Sequence, residues 1–138
     1  MKSDFREGFN FLDIPHGTEN VFNLDDPSSY YCRVFRYHIS HSGLCIQLIR
    51  EGHDNLYLDF AGVQYFEFPQ FWKGANFALS GDTVEKERCI LKNPHIVKSD
   101  DISYWVASHH LLICHTDEGV VKLLFGYRHV LLTNRMSL

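Results

Sequence analysis

Residues 104–133 constrain the fold more than any other stretch. Ser108 to Thr116 (SHHLLICHT) and Val120 to Leu132 (VVKLLFGYRHVLL) are both rich in β-branched and aromatic residues, and only Asp117-Glu118-Gly119 separates them. Two such runs around a short Gly-containing loop predict a β-hairpin. A three-residue loop ending in Gly119 predicts a type I turn followed by a left-handed residue in a G1 bulge. That geometry sets Thr116 opposite Val120. Ile113 then faces Leu123, Leu111 faces Phe125, and His109 faces Tyr127. The odd-numbered face is apolar through its middle and is read as core. A slip of one residue would move these side chains to the other face.

The rest of the chain supports the same class. Tyr30 to Ser40 and Leu44 to Arg50 flank His41-Ser42-Gly43 and predict a second hairpin, pairing Ile39 with Cys45, Tyr37 with Gln47 and Phe35 with Ile49. Asn55 to Phe68 alternates as a strand, and Gly62 in its middle marks a bend or bulge. Pro69 ends that ladder. Phe71 to Gly74 reads as an aromatic loop leading into a short strand over 75–79. Asp82 with Glu85 three residues later resembles a capping box, so 83–92 is read as a short helix, with a strand as the alternative. Ile96 and Val97 suggest a small strand. Residues 1–27 lack clean periodicity, although Val21, Phe22 and Leu24 suggest a short edge strand and Pro15-His16-Gly17 a turn.

A chain of 138 residues predicts one domain, spanning 1–138, with a core large enough to need no staples. The expected fold is mainly β: a single antiparallel β-sandwich or flattened barrel of seven to nine strands with at most one short helix. A β-rich α+β fold is the alternative. Cys32, Cys45, Cys89 and Cys114 form no C-x-x-C pair, and charges at Lys2, Asp4, Arg6 and Glu7 interrupt any secretory apolar run. Free buried thiols in a cytoplasmic protein are therefore expected. No apolar run approaches a membrane span.

The formal net charge of −4 and the lack of a basic stripe argue against a nucleic-acid partner. The chain is rich in histidine: nine are present, enough to reverse that charge on protonation. Most are badly placed to act together. His109 and His115 lie six residues apart, roughly 20 Å along a strand. His109 and His110 point to opposite faces, and His38 and His41 straddle a turn. In the derived register, however, His129 is the diagonal neighbour of His109, and diagonal neighbours approach to about 7–8 Å. A ligand site is thus read at the open end of the hairpin, formed by His109, Tyr127 and His129 with Trp105 as a wall. Two imidazoles and a phenol suit a transition metal or haem, and ordinary hydrogen-bonded rings are the competing explanation.

Cys114 and His115 are adjacent and so face opposite ways, which argues for packing rather than a nucleophile–base pair. Asp59 sits mid-strand and is read as solvent-facing, while the other acids flank turns. The chain has no Gly-rich phosphate loop, G-x-S-x-G or H-E-x-x-H motif. The run from Tyr65 to Trp72 carries more aromatic surface than one face can bury. Tyr65, Phe71 and Trp72 are therefore candidate partner-binding residues, with core packing as the alternative. The functional expectation is a non-enzymatic intracellular binding module whose partner is another protein. Binding of a small ligand, haem or metal at the His/Tyr corner is the alternative, and an enzyme ranks last.

Overall fold

The structure, a computed structural model, describes residues 5–38, 42–93 and 102–135. These residues form ten strands in two antiparallel sheets stacked as a sandwich that does not close into a barrel. The strands are β1 (Arg6–Asn10), β2 (Tyr31–His38), β3 (Gly43–Ile49), β4 (Leu56–Phe60), β5 (Val63–Glu67), β6 (Phe71–Lys73), β7 (Ala78–Leu79), β8 (His110–Thr116), β9 (Gly119–Phe125) and β10 (His129–Thr133). The larger sheet runs β1-β10-β4-β3-β2-β6, and the smaller runs β5-β9-β8-β7. Two helices, α1 (Thr83–Leu91) and α2 (Ile102–Ser108), form a third layer.

The mainly β class is as expected. The helix count is not, because residues 102–108 form a second helix that takes in Ser108, the first residue read into the hairpin. The first helix is as read. Asp82 caps it, with Oδ1 accepting the Glu85 backbone N–H at 3.1 Å. The turn at 15–17, the break at Gly62 and the end of pairing before Pro69 also match. Val21, Phe22 and Leu24 form no strand, yet all three are buried in the main core. The N-terminal segment instead contributes β1, which pairs with β10 from Arg6 opposite Thr133 to Asn10 opposite His129. Ile96 and Val97 lie outside the described residues.

The register of the β8–β9 hairpin differs from expectation by one residue. Thr116 pairs with Gly119, so Leu112 faces Leu123 and Ile113 faces Lys122. The loop is tighter because the Thr116 hydroxyl organises it, accepting the Glu118 N–H at 3.2 Å and donating to the Gly119 carbonyl at 2.6 Å. Gly119 does take a positive φ, +141°. On β9 the odd residues Val121, Leu123 and Phe125 enter the main core as read. On β8 the even residues Leu112 and Cys114 enter it instead. Leu111 and Ile113 turn outward to pack, with Leu124, against Cys89, Ile90, Trp105 and Val106 of the two helices. Both faces of the smaller sheet are thus covered, which explains the long apolar runs.

The β2–β3 register also shifts. His38 pairs with Gly43 and Tyr37 with Leu44, and an irregularity between Val34 and Arg36 leaves Phe35 as an extra residue. That bulge rotates the strand so that Phe35 and Arg36 both lie outside, while Tyr37 packs inward on Phe66 at 5.1 Å. The pairing read for Ile39 falls outside the described residues.

Among the described residues the chain passes between the sheets four times, and two of these crossings adjoin at one corner. One is Ala61-Gly62, between β4 and β5, and the other is Gly126-Tyr127-Arg128, between β9 and β10. They are stitched together: the Gly126 N–H donates to the Gly62 carbonyl at 2.8 Å and the Tyr127 N–H to the Ala61 carbonyl at 3.4 Å. Gly62 has φ +68°, and a Cβ there would lie 3.2 Å from the Tyr127 backbone N, so both its conformation and its contacts suit glycine.

Candidate functional site

Two places combine exposure with convergent chemistry: the crossover corner and the outer face of the larger sheet.

At the corner, the protein does not assemble the four residues read together from the sequence. Chain geometry is the reason. The β9 strand leaves its sheet after Phe125, so Tyr127 belongs to the crossover and His129 to a strand of the other sheet. Tyr127 and His129 do line a shared cavity of about 440 Å³. His109 and Trp105 do not line it. Trp105 sits on α2, and His109 is buried beneath it, their rings 4.9 Å apart. His109 Nδ1 lies 3.1 Å from the Trp105 carbonyl and 3.0 Å from the Ser108 hydroxyl, so the ring is held from both. Its Nε2 abuts Gly126, where a Cβ would lie only 2.9 Å away. Burial pushes the His109 pKa below the usual imidazole value and so favours the neutral ring.

The histidine that does line the cavity is His110. Its ring stands between Phe11 at 5.8 Å and Phe125 at 5.4 Å. Burial lowers its pKa to about 4, with Lys86, His109 and His16 as further, like-charged causes. The wall it provides is therefore neutral at physiological pH. Arg128 and Ser108 add polar groups, and Leu12 and Ala107 add apolar surface. The sequence signal that could have found His110 is parity: it shares the alternation of Leu112 and Cys114, the residues that face inward. Leu12 and Arg128 depend on the sheet-to-sheet crossover and left no local signal.

On the larger sheet, alternation and register place a distinct set of side chains on the outer face. Lys73, Tyr31 and Ile49 form one row across β6, β2 and β3. Phe71, Arg33, Gln47, Tyr57, Thr133 and Arg6 form the next. Arg36, Cys45, Asp59 and Leu131 form a third. The polar members are wired together: Arg33 Nε donates to Gln47 Oε1 at 2.6 Å, and Gln47 Nε2 to the Tyr57 hydroxyl at 3.2 Å. Phe35, displaced outward by the bulge, covers Tyr57 with rings 5.3 Å apart and has the Arg33 and Arg36 guanidinium groups each 5.9 Å from its own ring. This cover explains why Gln47 and Tyr57 are buried on a face that carries no described helix. Asp59 is half-buried rather than solvent-facing, and its negative charge adds to burial in raising the Cys45 pKa.

The three aromatic candidates fall in three settings. Trp72 is fully buried, its indole donating to the Gly74 carbonyl at 3.0 Å, so it is core and not a surface anchor. Tyr65 is half-buried on the helix side of the smaller sheet, its hydroxyl donating to Glu67 Oε2 at 2.6 Å. Phe71 is 49% exposed and stacks on Tyr31, itself 43% exposed, with centroids 5.6 Å apart. Lys73 Nζ lies 5.4 Å from the Tyr31 ring centroid.

Burial holds all four thiols above the usual cysteine pKa, which leaves them poor nucleophiles. Among the described residues, no three His, Cys, Asp or Glu side chains are grouped to hold a metal ion, and no helix is long and apolar enough to cross a membrane. Comparison with protein-family models, curated proteins and solved structures finds no match.

Proposed function

We propose that the chain is a non-enzymatic protein-binding domain whose partner presents an acidic surface to the outer face of the larger sheet. The observation that carries this reading is the exposed Tyr31–Phe71 stack flanked by Lys73 and Arg33. Two large rings held half in solvent supply apolar area at little further entropic cost, because each is already ordered against its neighbour. Aromatic and arginine side chains of this kind dominate binding energy at protein interfaces.

Charge selects the partner. In the three rows across the sheet the cations are Arg6, Arg33, Arg36 and Lys73, and the carboxylate is Asp59. This face therefore opposes the net charge of −4 carried by the whole chain. A partner with clustered carboxylates would be steered to it and held in register. Six strands about 4.8 Å apart span roughly 24 Å, a width suited to a standard-sized interface. A nucleic acid is the less favoured occupant, because the two rings stack on each other and the chain as a whole is acidic.

The test begins with a partner captured on the wild-type chain, identified and purified. Phe71→Glu and Arg33→Glu are each expected to weaken its binding tenfold or more, while Tyr127→Ala leaves it unchanged. The wild-type association rate should fall steeply with salt. A partner whose affinity ignores both sheet-face substitutions, or a single-stranded oligonucleotide bound as tightly and through the same residues, overturns the reading.

A further inference from the structure

We propose that the crossover corner is a second binding site, separate from the sheet face, that takes a small organic carboxylate with an apolar body. The cavity there is about 440 Å³, within the range of small-ligand sites. Two of its lining residues are far more exposed than their chemistry favours, Leu12 at 62% and Tyr127 at 66%. Ala107 and the backbone of Gly126 continue this apolar floor. An apolar ligand body would cover surface that the fold leaves in water.

The polar lining favours an anion over a cation. Arg128 supplies a fixed positive charge and a forked set of donors suited to a carboxylate. His129 and the Tyr127 hydroxyl add further donors, and among the described residues no carboxylate lines the cavity. His110 completes the wall as a neutral ring able to hydrogen-bond without adding charge. The nearby carboxyl-terminal end of α2 would ordinarily repel an anion through its free carbonyls. Here the carbonyl of Trp105 is taken up by the His109 N–H at 3.1 Å and that of Val106 by Lys86 Nζ at 3.1 Å.

The site is also pre-organised. The Arg128 carbonyl accepts the Phe11 N–H at 2.7 Å, and the Gly126 N–H is bound to Gly62, so the segment carrying Tyr127, Arg128 and His129 is tethered on both sides. Binding then needs side-chain adjustment rather than a loop rearrangement.

The test uses benzoate and its neutral isostere benzamide as probes, followed by amide chemical shifts of the full chain. Benzoate is expected to perturb residues 107–110 and 126–129 saturably, with a dissociation constant on the order of 1 mM for so small a ligand. Benzamide should bind at least tenfold more weakly. Arg128→Gln, an exposed substitution that keeps the backbone hydrogen bond, should weaken benzoate at least tenfold without changing the melting temperature. Phe71→Glu should leave benzoate binding intact, so this site and the sheet face stand or fall separately. Shifts that do not saturate, equal binding of benzamide, or benzoate binding unchanged in Arg128→Gln would each overturn the proposal. So would displacement by chloride at equal concentration, since a simple anion has no apolar body.

Discussion

Cys32 and Cys114, from opposite sheets, both direct their thiols at the Gly74 carbonyl, at 3.6 Å and 3.5 Å. The Trp72 indole N–H donates to the same oxygen at 3.0 Å. One backbone acceptor, just past the edge strand β6, thus gathers three buried donors from the two sheets. Burial first, and the neighbouring thiol second, hold the Cys32 pKa well above the usual value, while burial lifts Cys114 to about 11. Both should therefore resist a thiol reagent in the native state and react at the unfolded rate in denaturant. Rapid native labelling of either, followed by peptide mapping, would contradict the packing described.

Gly126 is the tightest point of the crossover corner. A Cβ at that position would lie 2.9 Å from His109 Nε2, and the imidazole is itself held by the Trp105 carbonyl. Gly126→Ala is expected to destabilise the protein by about 1–3 kcal/mol, the usual range for overpacking. His109→Ala should relieve part of that loss, and a double-mutant cycle in denaturant should show favourable coupling of more than about 0.5 kcal/mol. Simple additivity would mean that the two residues do not press on each other.

Acid should weaken the fold in two stages. Burial depresses the pKa values of His109 and His110, the latter to about 4. The unfolded chain takes up these protons below about pH 6.5 while the folded chain does not, so stability falls as pH drops from there towards 4. His110 alone accounts for up to about 3 kcal/mol across that window. Glu85 is depressed by the Lys122 hydrogen bond first and by Arg88 second, so its contribution is lost at lower pH, as it protonates below the ordinary carboxylate range. His110→Phe should flatten the upper stage and leave the lower. An unchanged slope between pH 6.5 and 4 would show that His110 does not drive it.

Lys86 is 7% exposed, and its Nζ donates to the Val106 carbonyl at 3.1 Å, joining the two helices. Burial lowers its pKa. An amine kept from water with one such partner contributes less than its contact suggests. Lys86→Met is expected to be neutral or stabilising, whereas Lys86→Ala, which leaves a cavity, should cost about 2 kcal/mol. Thermal unfolding of the two variants separates the roles of stem and charge. A large loss in Lys86→Met would show that the hydrogen bond matters more than desolvation.

What could be read in advance was local. The helix over 83–91 follows from Asp82 and its reach to Glu85, a contact three residues long. The break at Gly62 and the packing of the cysteines likewise depend on near neighbours or on burial alone. The hairpin registers were not legible, because each turned on a single residue's choice. Thr116 closed one loop more tightly through its hydroxyl, and Phe35 left the other ladder altogether. Helix α2 was missed because ISYWVAS is strand-like in composition and is held by packing on Leu111 and Leu124. The corner was only half found. Tyr127 and His129 were named through a register that does not exist, and they share a cavity because two crossovers meet there. That meeting is a tertiary fact with no signature in spacing.

Strand β10 lies between β1 and β4, pairing Thr133 with Arg6 on one side and with Tyr57 on the other. Among the described strands β10 comes latest in sequence, yet it is an interior strand of the larger sheet, and β1 has β10 as its ladder partner. During synthesis, β1 waits unpaired until residues beyond 129 have emerged, and the β4 edge waits with it. Pairings of such long sequence separation close late and slowly. Joining β1 to the larger sheet therefore requires β10 to enter between two strands that precede it by many residues.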